Sequence, residues 1–110
     1  MTFAAVYAVP SARDLVDVYF EICKQPRMFG WNYMHHPDLN DCCVDIDGVI
    51  CCDPEEHEND DGEAYVRFLS QAAPLHLPTQ EIGWLVTSRL EKYRSQTESW
   101  LREHGVRFRN

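Results

Sequence analysis

The apolar positions of the chain alternate between short continuous runs and helical stripes, which predicts alternating strands and helices. Residues 2–9 form an apolar run that ends at Pro10 and predicts a strand. After a capping box at residues 11–14, apolar side chains recur at helical spacing and predict a helix that ends near Cys23. Residues 24–41 contain two prolines, a glycine and several aromatic residues, and they predict an irregular segment.

The second part of the chain continues this alternation. Residues 42–46 and 81–87 predict buried strands, and residues 63–72 and 89–104 predict amphipathic helices. Gly105 stands where a glycine commonly ends a helix. The repeating face of the last helix comprises Tyr93, Thr97, Trp100, Leu101 and His104.

The order of these elements, with a further strand starting at residues 106–108, predicts an α/β fold with a parallel sheet and right-handed connections. Ligand sites of such sheets lie beyond the carboxyl ends of the strands. Asp45 and Asp47 stand at the end of one predicted strand, and Thr87 and Ser88 stand at the end of the next. The two groups are therefore expected to meet in space.

Composition and charge narrow the classes of ligand. The 110 residues are 45% hydrophobic, which is enough for one small domain with a core. The formal net charge of -8 disfavours non-specific binding to nucleic acid or to anionic membranes, although a bound cation still admits a phosphorylated ligand. No apolar run approaches the roughly 20 residues that span a bilayer, and no leader peptide is recognised. These features predict a cytoplasmic protein without a membrane partner.

The cysteines favour a reducing compartment, because their number is odd and no leader precedes them. Neighbouring residues on a strand point to opposite faces and the usual zinc spacing is absent, so small buried thiols are favoured over a zinc site. The five cysteines are Cys23, Cys42, Cys43, Cys51 and Cys52.

Three further groups have a simple and a functional interpretation. His35 and His36 are either metal ligands or, as favoured for adjacent histidines, part of a surface loop. Residues 59–62 form either a ligand loop or, as favoured, a solvated turn that begins a helix. The tryptophans are predicted to lie in the core, and they are Trp31, Trp84 and Trp100.

The acidic pair at the first strand end carries the candidate chemistry. A carboxylate in such a position costs several kcal/mol unless it is paired or binds a metal. Asp45 and Asp47 therefore belong either to a surface Asp-Gly turn with Gly48 or to a reactive site.

The segment CCVDIDGVI resembles the first motif of the haloacid dehalogenase-like phosphatase superfamily, and GWLVTSR resembles its second motif, an apolar strand that ends in Thr or Ser. Within that superfamily, residues 86–105 are similar to the phosphatase domains of polynucleotide kinase type. The two motifs together cover about residues 41–108. The resemblance implies a Rossmann-like, three-layer parallel sheet.

The same resemblance implies a role for each residue of the first motif. Asp45 would be the nucleophile that forms an aspartyl-phosphate. Asp47 would be the general acid and base, and Gly48 would let the backbone approach the phosphoryl group. Mg²⁺ would bridge Asp45, the backbone carbonyl of Asp47 and the phosphate.

The second motif implies phosphate contacts. The hydroxyl of Thr87 would donate a hydrogen bond to a phosphoryl oxygen. Ser88 either contacts the phosphate or caps the following helix through a box with Glu91, and both can hold because the free N–H groups of the helix then point at the anion. Arg89 either contacts the leaving group or a phosphate, or is a solvent-exposed arginine of the first helical turn.

A complete member of the superfamily also has a third motif with Lys or Arg and a fourth with an acidic pair. Neither follows the predicted helix at residues 89–104, and Lys92 lies inside that helix. Residues 41–110 are therefore expected to correspond to the N-terminal half of such a domain, from a truncated reading frame, a fragment or a split protein. Binding of Mg²⁺ and stabilisation of the transition state should be weakened.

Residues 1–40 resemble the tail and linker of a phosphoribosyltransferase domain that precedes a phosphatase-like domain in bacterial and phage proteins. No loop for phosphoribosyl pyrophosphate is visible. The sequence thus predicts a Mg²⁺-dependent phosphohydrolase, or a fragment of one, for a small phosphorylated metabolite, nucleotide or phosphoribosyl compound. The alternatives are a non-catalytic phosphate-binding or interaction module, with its open sheet edge covered by a second copy or another chain, and a regulatory part of a phosphoribosyltransferase.

Overall fold

A computed structural model describes residues 1–25 and 27–110, so Pro26, within the predicted irregular segment, lies outside the described residues. The chain divides into two compact units, Met1–Gly30 and Trp31–Asn110, which are described separately. Both contain a pair of parallel strands, and the second also contains two α-helices, so the predicted mixed α/β class is confirmed. No helix in the described ranges is long and apolar enough to cross a membrane.

The first unit contains strand β1 (Ala4–Ala8) and strand β2 (Val18–Ile22), joined by a 3₁₀ helix at Pro10–Leu15. The strands pair in parallel, with Ala4 opposite Val18. The predicted strand at residues 2–9 is confirmed by β1.

The predicted helix at residues 11–23 is wrong. Its first part forms the short 3₁₀ helix, which Pro10 begins, and its second part forms β2. The β2 sequence VYFEI is rich in β-branched and aromatic residues, which favour an extended chain. Its backbone groups are satisfied by pairing with β1, which local spacing does not reveal.

In the second unit, strands and α-helices alternate as predicted. Strand β3 (Cys43–Asp45) precedes helix α1 (Glu63–Gln71), and strand β4 (Trp84–Val86) precedes helix α2 (Arg94–Glu103). Strands β3 and β4 pair in parallel, with Asp45 opposite Val86. The other edge of β3 has no strand partner within the described residues. Short 3₁₀ helices lie at Tyr33–His35, Pro37–Asp41 and Glu91–Tyr93.

Residues 106–110 run beside β4, where the sequence predicts the start of a further strand, but they form a single bridge and no strand. Gly105 ends α2 with a φ angle of +69°, in the left-handed region that glycine adopts readily. Phe108 then forms a parallel bridge with Ile82, and the N–H of Leu85 donates to the carbonyl of Asn110 over 2.8 Å.

The core of the second unit lies between the two helices and one face of the strands. Trp100 is 2% exposed, and its indole N–H donates to the carbonyl of Ala72 over 3.0 Å. Trp31 and Trp84 are 71% and 43% exposed, so the prediction that they lie in the core is wrong. The fully or nearly fully buried apolar side chains include Leu39, Val44, Ile46, Ile50, Phe68, Leu69, Ile82 and Leu101.

Gly83 lies where β4 passes the 3₁₀ helix at Pro37–Asp41. A Cβ atom at this position would clash with the carbonyl oxygen of Asn40, which is backbone and cannot swing away. The close approach fixes β4 against the segment that leads into β3.

Candidate functional site

The candidate site lies at the carboxyl ends of β3 and β4. Asp45 is the last residue of β3, and Thr87 directly follows β4. The N–H of Ile46 donates to the carbonyl of Val86 over 3.2 Å, which keeps the segments that follow β3 and β4 next to each other. The hydroxyl of Thr87 lies 3.4 Å from Oδ2 of Asp47, so the structure brings these two predicted site residues together.

A tight turn after β3 aims Asp47 at this point. The carbonyl of Ile46 accepts hydrogen bonds from the N–H groups of Ile50 and Cys51, over 2.9 and 3.0 Å. Gly48 has a φ angle of +73°, and a Cβ atom there would come within 3.0 Å of a carboxylate oxygen of Asp53. The Asp-Gly turn and the convergence on Thr87 therefore occur together.

Arg89 forms an ion pair with Asp47. Nη2 of Arg89 lies 2.6 Å from Oδ1 of Asp47, and Nε lies 3.0 Å from Oδ2. The side chains of Arg89 and Asp47 are 2% and 17% exposed. The interpretation of Arg89 as a solvent-exposed arginine is therefore wrong, and its charge is committed to the acidic motif.

Two further side chains hold the guanidinium. Nη1 of Arg89 donates to Oγ1 of Thr97 over 3.2 Å, and Nη2 lies 3.1 Å from Sγ of Cys51. Burial alone lowers the pKa of Arg89, but the hydrogen bonds and charge of Asp47 raise it by more, so the pKa lies above its ordinary value. The guanidinium thus stays charged and fixed.

Sequence reasoning did not place Thr97 or Cys51 in the site. The signal for Thr97 was an aliphatic hydroxyl on a largely aromatic and apolar helical face, because such a hydroxyl requires a polar partner when it is buried. Burial raises the pKa of the Cys51 thiol from 9.0 to about 12, and Asp47 adds to this rise while Arg89 opposes it. Cys51 is therefore a protonated donor, with Sγ lying 3.6 Å from Oδ1 of Asp47.

Ser88 is exposed in the loop that follows β4. The first helical turn begins at Glu91 after Leu90, without a side-chain cap, so the predicted capping box is wrong. The backbone N–H of Arg89 donates instead to Oγ1 of Thr87 over 3.1 Å, which turns the chain away from the strand.

Asp45 remains apart from the ion pair. Its carboxylate accepts a hydrogen bond from the N–H of Ile46 over 2.8 Å, and it makes no other hydrogen bond or ion pair within the described part of the chain. It is exposed at the strand end. Asp45 is thus free to contact a ligand, whereas the oxygens of Asp47 are already engaged by Arg89.

Asp45 and Asp47 are the residues that would offer oxygen ligands to Mg²⁺. This ion is held in many sites by one or two carboxylates together with phosphate oxygens and water. Residues 1–25 and 27–110 contain no group of three or more His, Cys, Asp or Glu side chains that could hold a metal ion by themselves. Asp45 supplies one free carboxylate, and no backbone hydrogen bond to the carbonyl of Asp47 is formed in that part of the chain. Asp45 and the carbonyl of Asp47 would therefore hold Mg²⁺ only together with phosphate oxygens and water.

The other polar groups have structural partners. His35 lies 3.0 Å from the hydroxyl of Thr79, and His36 lies beside Asp38, as a loop role predicts. Asp60 accepts backbone hydrogen bonds from Gly62 and Tyr65, which supports the interpretation of residues 59–62 as a turn that begins α1.

Comparison of the chain with protein-family models, with curated proteins and with solved structures finds no match.

Proposed function

We propose that the chain is a Mg²⁺-dependent phosphohydrolase of the haloacid dehalogenase-like type, or a fragment of one, that acts through an aspartyl-phosphate on a small phosphorylated compound. The observation that carries this proposal is the contact between Thr87 and Asp47 across two parallel strands. Asp45 ends the first of these strands, and its carboxylate accepts a hydrogen bond from the N–H of Ile46 alone within the described residues. The contact agrees with the spacing of the two motifs and with a Rossmann-like sheet.

In the proposed first step, a carboxylate oxygen of Asp45 attacks phosphorus, and the bond from phosphorus to the ester oxygen breaks. The leaving alcohol takes its proton from the carboxyl group of Asp47. Water then attacks phosphorus and gives a proton to Asp47, and the departing oxygen of Asp45 regenerates the free carboxylate. Mg²⁺ held by Asp45 and the carbonyl of Asp47 would offset the negative charge of the phosphate.

Thr87 and Arg89 have supporting roles in this scheme. The hydroxyl of Thr87 can rotate from Asp47 to a phosphoryl oxygen. Arg89 positions Asp47 through its paired hydrogen bonds, and Asp47 must release part of that pairing to reach a leaving oxygen.

The experiment is hydrolysis of p-nitrophenyl phosphate by the purified chain with and without Mg²⁺. Release of nitrophenolate that requires Mg²⁺ and is abolished by Asp45→Asn would support the proposal. Asp41→Asn is the matched control, because Asp41 is also an exposed aspartate of the same segment but lies outside the site. Hydrolysis that persists in Asp45→Asn would contradict the role of Asp45.

A second candidate is a non-catalytic module that binds phosphate. It is favoured by the pairing of Asp47 with Arg89, which engages both oxygens of the proposed acid. This candidate predicts that inorganic phosphate shifts the NMR resonances of Ser88 and Arg89 without any turnover. The same candidate also predicts a second copy or another chain against the open sheet edge at residues 106–110.

A further inference from the structure

A cleft of about 210 Å³ opens beside the candidate site. Its lining includes Thr87 and Arg89 of the candidate site, together with Arg94, Thr97, Glu98 and Leu101 of α2. The cleft is therefore continuous with the point at which Thr87 would hold a phosphate, and a group attached to that phosphate would extend into it.

Five of the twelve residues that line the cleft are apolar, and they are Ile46, Leu85, Leu90, Leu101 and Phe108. Ile46 and Leu101 are each 2% exposed, so little of their surface is accessible to water. Leu90 and Phe108, which are 53% and 38% exposed, lie at its opening. Apolar groups that are both accessible and concave favour an apolar ligand, because its binding removes their surface from water.

The charges of the cleft are already paired. Arg89 is bound to Asp47, and Nη2 of Arg94 lies 2.9 Å from Oε2 of Glu91. Glu98 contributes a second carboxylate beside Arg94, with Oε1 of Glu98 lying 3.4 Å from Nη1 of Arg94. Neither arginine that lines the cleft is left without a carboxylate, so the cleft offers no unpaired cation to a second anionic group.

The size of the cleft also limits its occupant. A cavity of about 150 Å³ lined by Leu, Ile and Phe side chains can hold a benzene molecule. The larger cleft in this chain has room for one aromatic ring or a short alkyl chain, and part of that group would remain at the open side.

We infer that the cleft binds the uncharged apolar body, an aryl or short alkyl group, of a phosphate monoester whose phosphate lies at Asp45 and Thr87. This inference rests on the proposed function and narrows its substrate class. Compounds that carry a second phosphate, such as nucleoside diphosphates and phosphoribosyl pyrophosphate, lack a cation to receive it in the cleft.

The test compares phenyl phosphate with ribose 5-phosphate as substrates of the full chain. Phenyl phosphate should have the higher kcat/KM. Leu90→Ser should raise the KM for phenyl phosphate by roughly 10-fold with little change in kcat, because the lost contact is made equally before and during reaction. Leu75→Ser is the matched control, because Leu75 is 49% exposed, similar to the 53% of Leu90, but lies outside the cleft.

Binding of phenylphosphonate, which is not hydrolysed, separates this inference from the proposed function. Phenylphosphonate, but not methylphosphonate, should shift the NMR resonances of Leu85, Leu90 and Phe108. Such shifts would support binding of an apolar group in the cleft even if no ester is hydrolysed. Absence of these shifts, or a preference for ribose 5-phosphate among active substrates, would overturn it. Absence of turnover with the shifts present would contradict only the phosphohydrolase.

Discussion

The two pairs of parallel strands differ in what covers them. In the first unit, as far as it is described, Ala8 is the one buried apolar residue, and Phe20 of β2 is 82% exposed. In the second unit, Val44 of β3 belongs to the same buried apolar cluster as Leu69 of α1 and Trp100 of α2, and Leu69 is fully buried. Parallel strands usually need helices packed against them in this way. Backbone pairing alone can order two strands, as in β1 and β2. Side chains converge on a candidate site only at β3 and β4, the pair that belongs to a buried core.

The largest expected difference between the units is the effect of truncating an aromatic side chain. Trp100→Ala should lower the free energy of unfolding by about 3–5 kcal/mol, because it leaves a cavity between α1 and α2. Phe20→Ala should change it by less than about 0.5 kcal/mol, because Phe20 is exposed. Urea unfolding followed by far-UV circular dichroism measures both. Equal losses would contradict the contrast between a covered and an uncovered strand pair.

The next largest effect concerns an aspartate in each unit. Asp47→Ala should lower the free energy of unfolding by about 3 kcal/mol, because it leaves the buried guanidinium of Arg89 without its carboxylate partner. Asp17→Ala removes an exposed hydrogen bond to the N–H of Phe3 and should cost about 0.5–1.5 kcal/mol at most.

The two partners of the ion pair should also differ from one another. Arg89→Met leaves Asp47 without its partner, but Asp47 is 17% exposed and can be reached by water. The loss of unfolding free energy should therefore be smaller than for Asp47→Ala. The double variant should recover part of the loss. Chemical unfolding of the three variants gives the coupling directly, and strict additivity would argue against the pair as an interacting unit.

A smaller effect is expected from adding one methyl group to a glycine of each unit. Gly83→Ala should cost about 1–3 kcal/mol, because the new Cβ meets the backbone of Asn40. Gly30→Ala should be nearly neutral, because among the described residues beyond its two chain neighbours no atom lies within 4 Å of the added Cβ. Thermal unfolding distinguishes the two, and a tolerated Gly83→Ala would mean that β4 can move away from residues 37–41.

The smallest effect is a pH dependence of stability from Cys51. Its pKa is about 12 in the folded chain against 9.0 unfolded, so its contribution is complete below pH 9 and is lost as the pH rises towards 12. Cys51→Ala should therefore weaken the fall in unfolding free energy between about pH 8 and about pH 10. Cys23→Ala, in the first unit, is the matched control for replacing a cysteine by alanine.

The elements of the second unit could be predicted because their local patterns agree with their tertiary roles. Phe68 and Leu69 of α1 lie on the buried face that the spacing gives, and Gly105 ends α2 at the expected place. The helix predicted for residues 11–23 failed because Val18 and Tyr19 also suit a strand, and only the distant β1 decides between the two.

The place of the candidate site at the strand ends could be predicted from the sequence. The ion pair that fills it could not. The strand order predicts that Asp47 and Thr87 approach each other, because parallel strands bring their carboxyl ends together. No local pattern predicts that Arg89 turns inward to Asp47 and Thr97, since that choice depends on burial and on partners far along the chain. The capping box at Ser88 failed because the loop continues to Leu90 before the helix begins.

The ion pair between Arg89 and Asp47 also bears on the order of folding, because it joins residues 42 positions apart. Closing a loop of this length loses chain entropy before the contact stabilises anything. We therefore expect the pair to form after the transition state for folding. Substitutions in it should accelerate unfolding in stopped-flow experiments and leave the refolding rate nearly unchanged. The contacts of the candidate site would then be among the last to form in the native state.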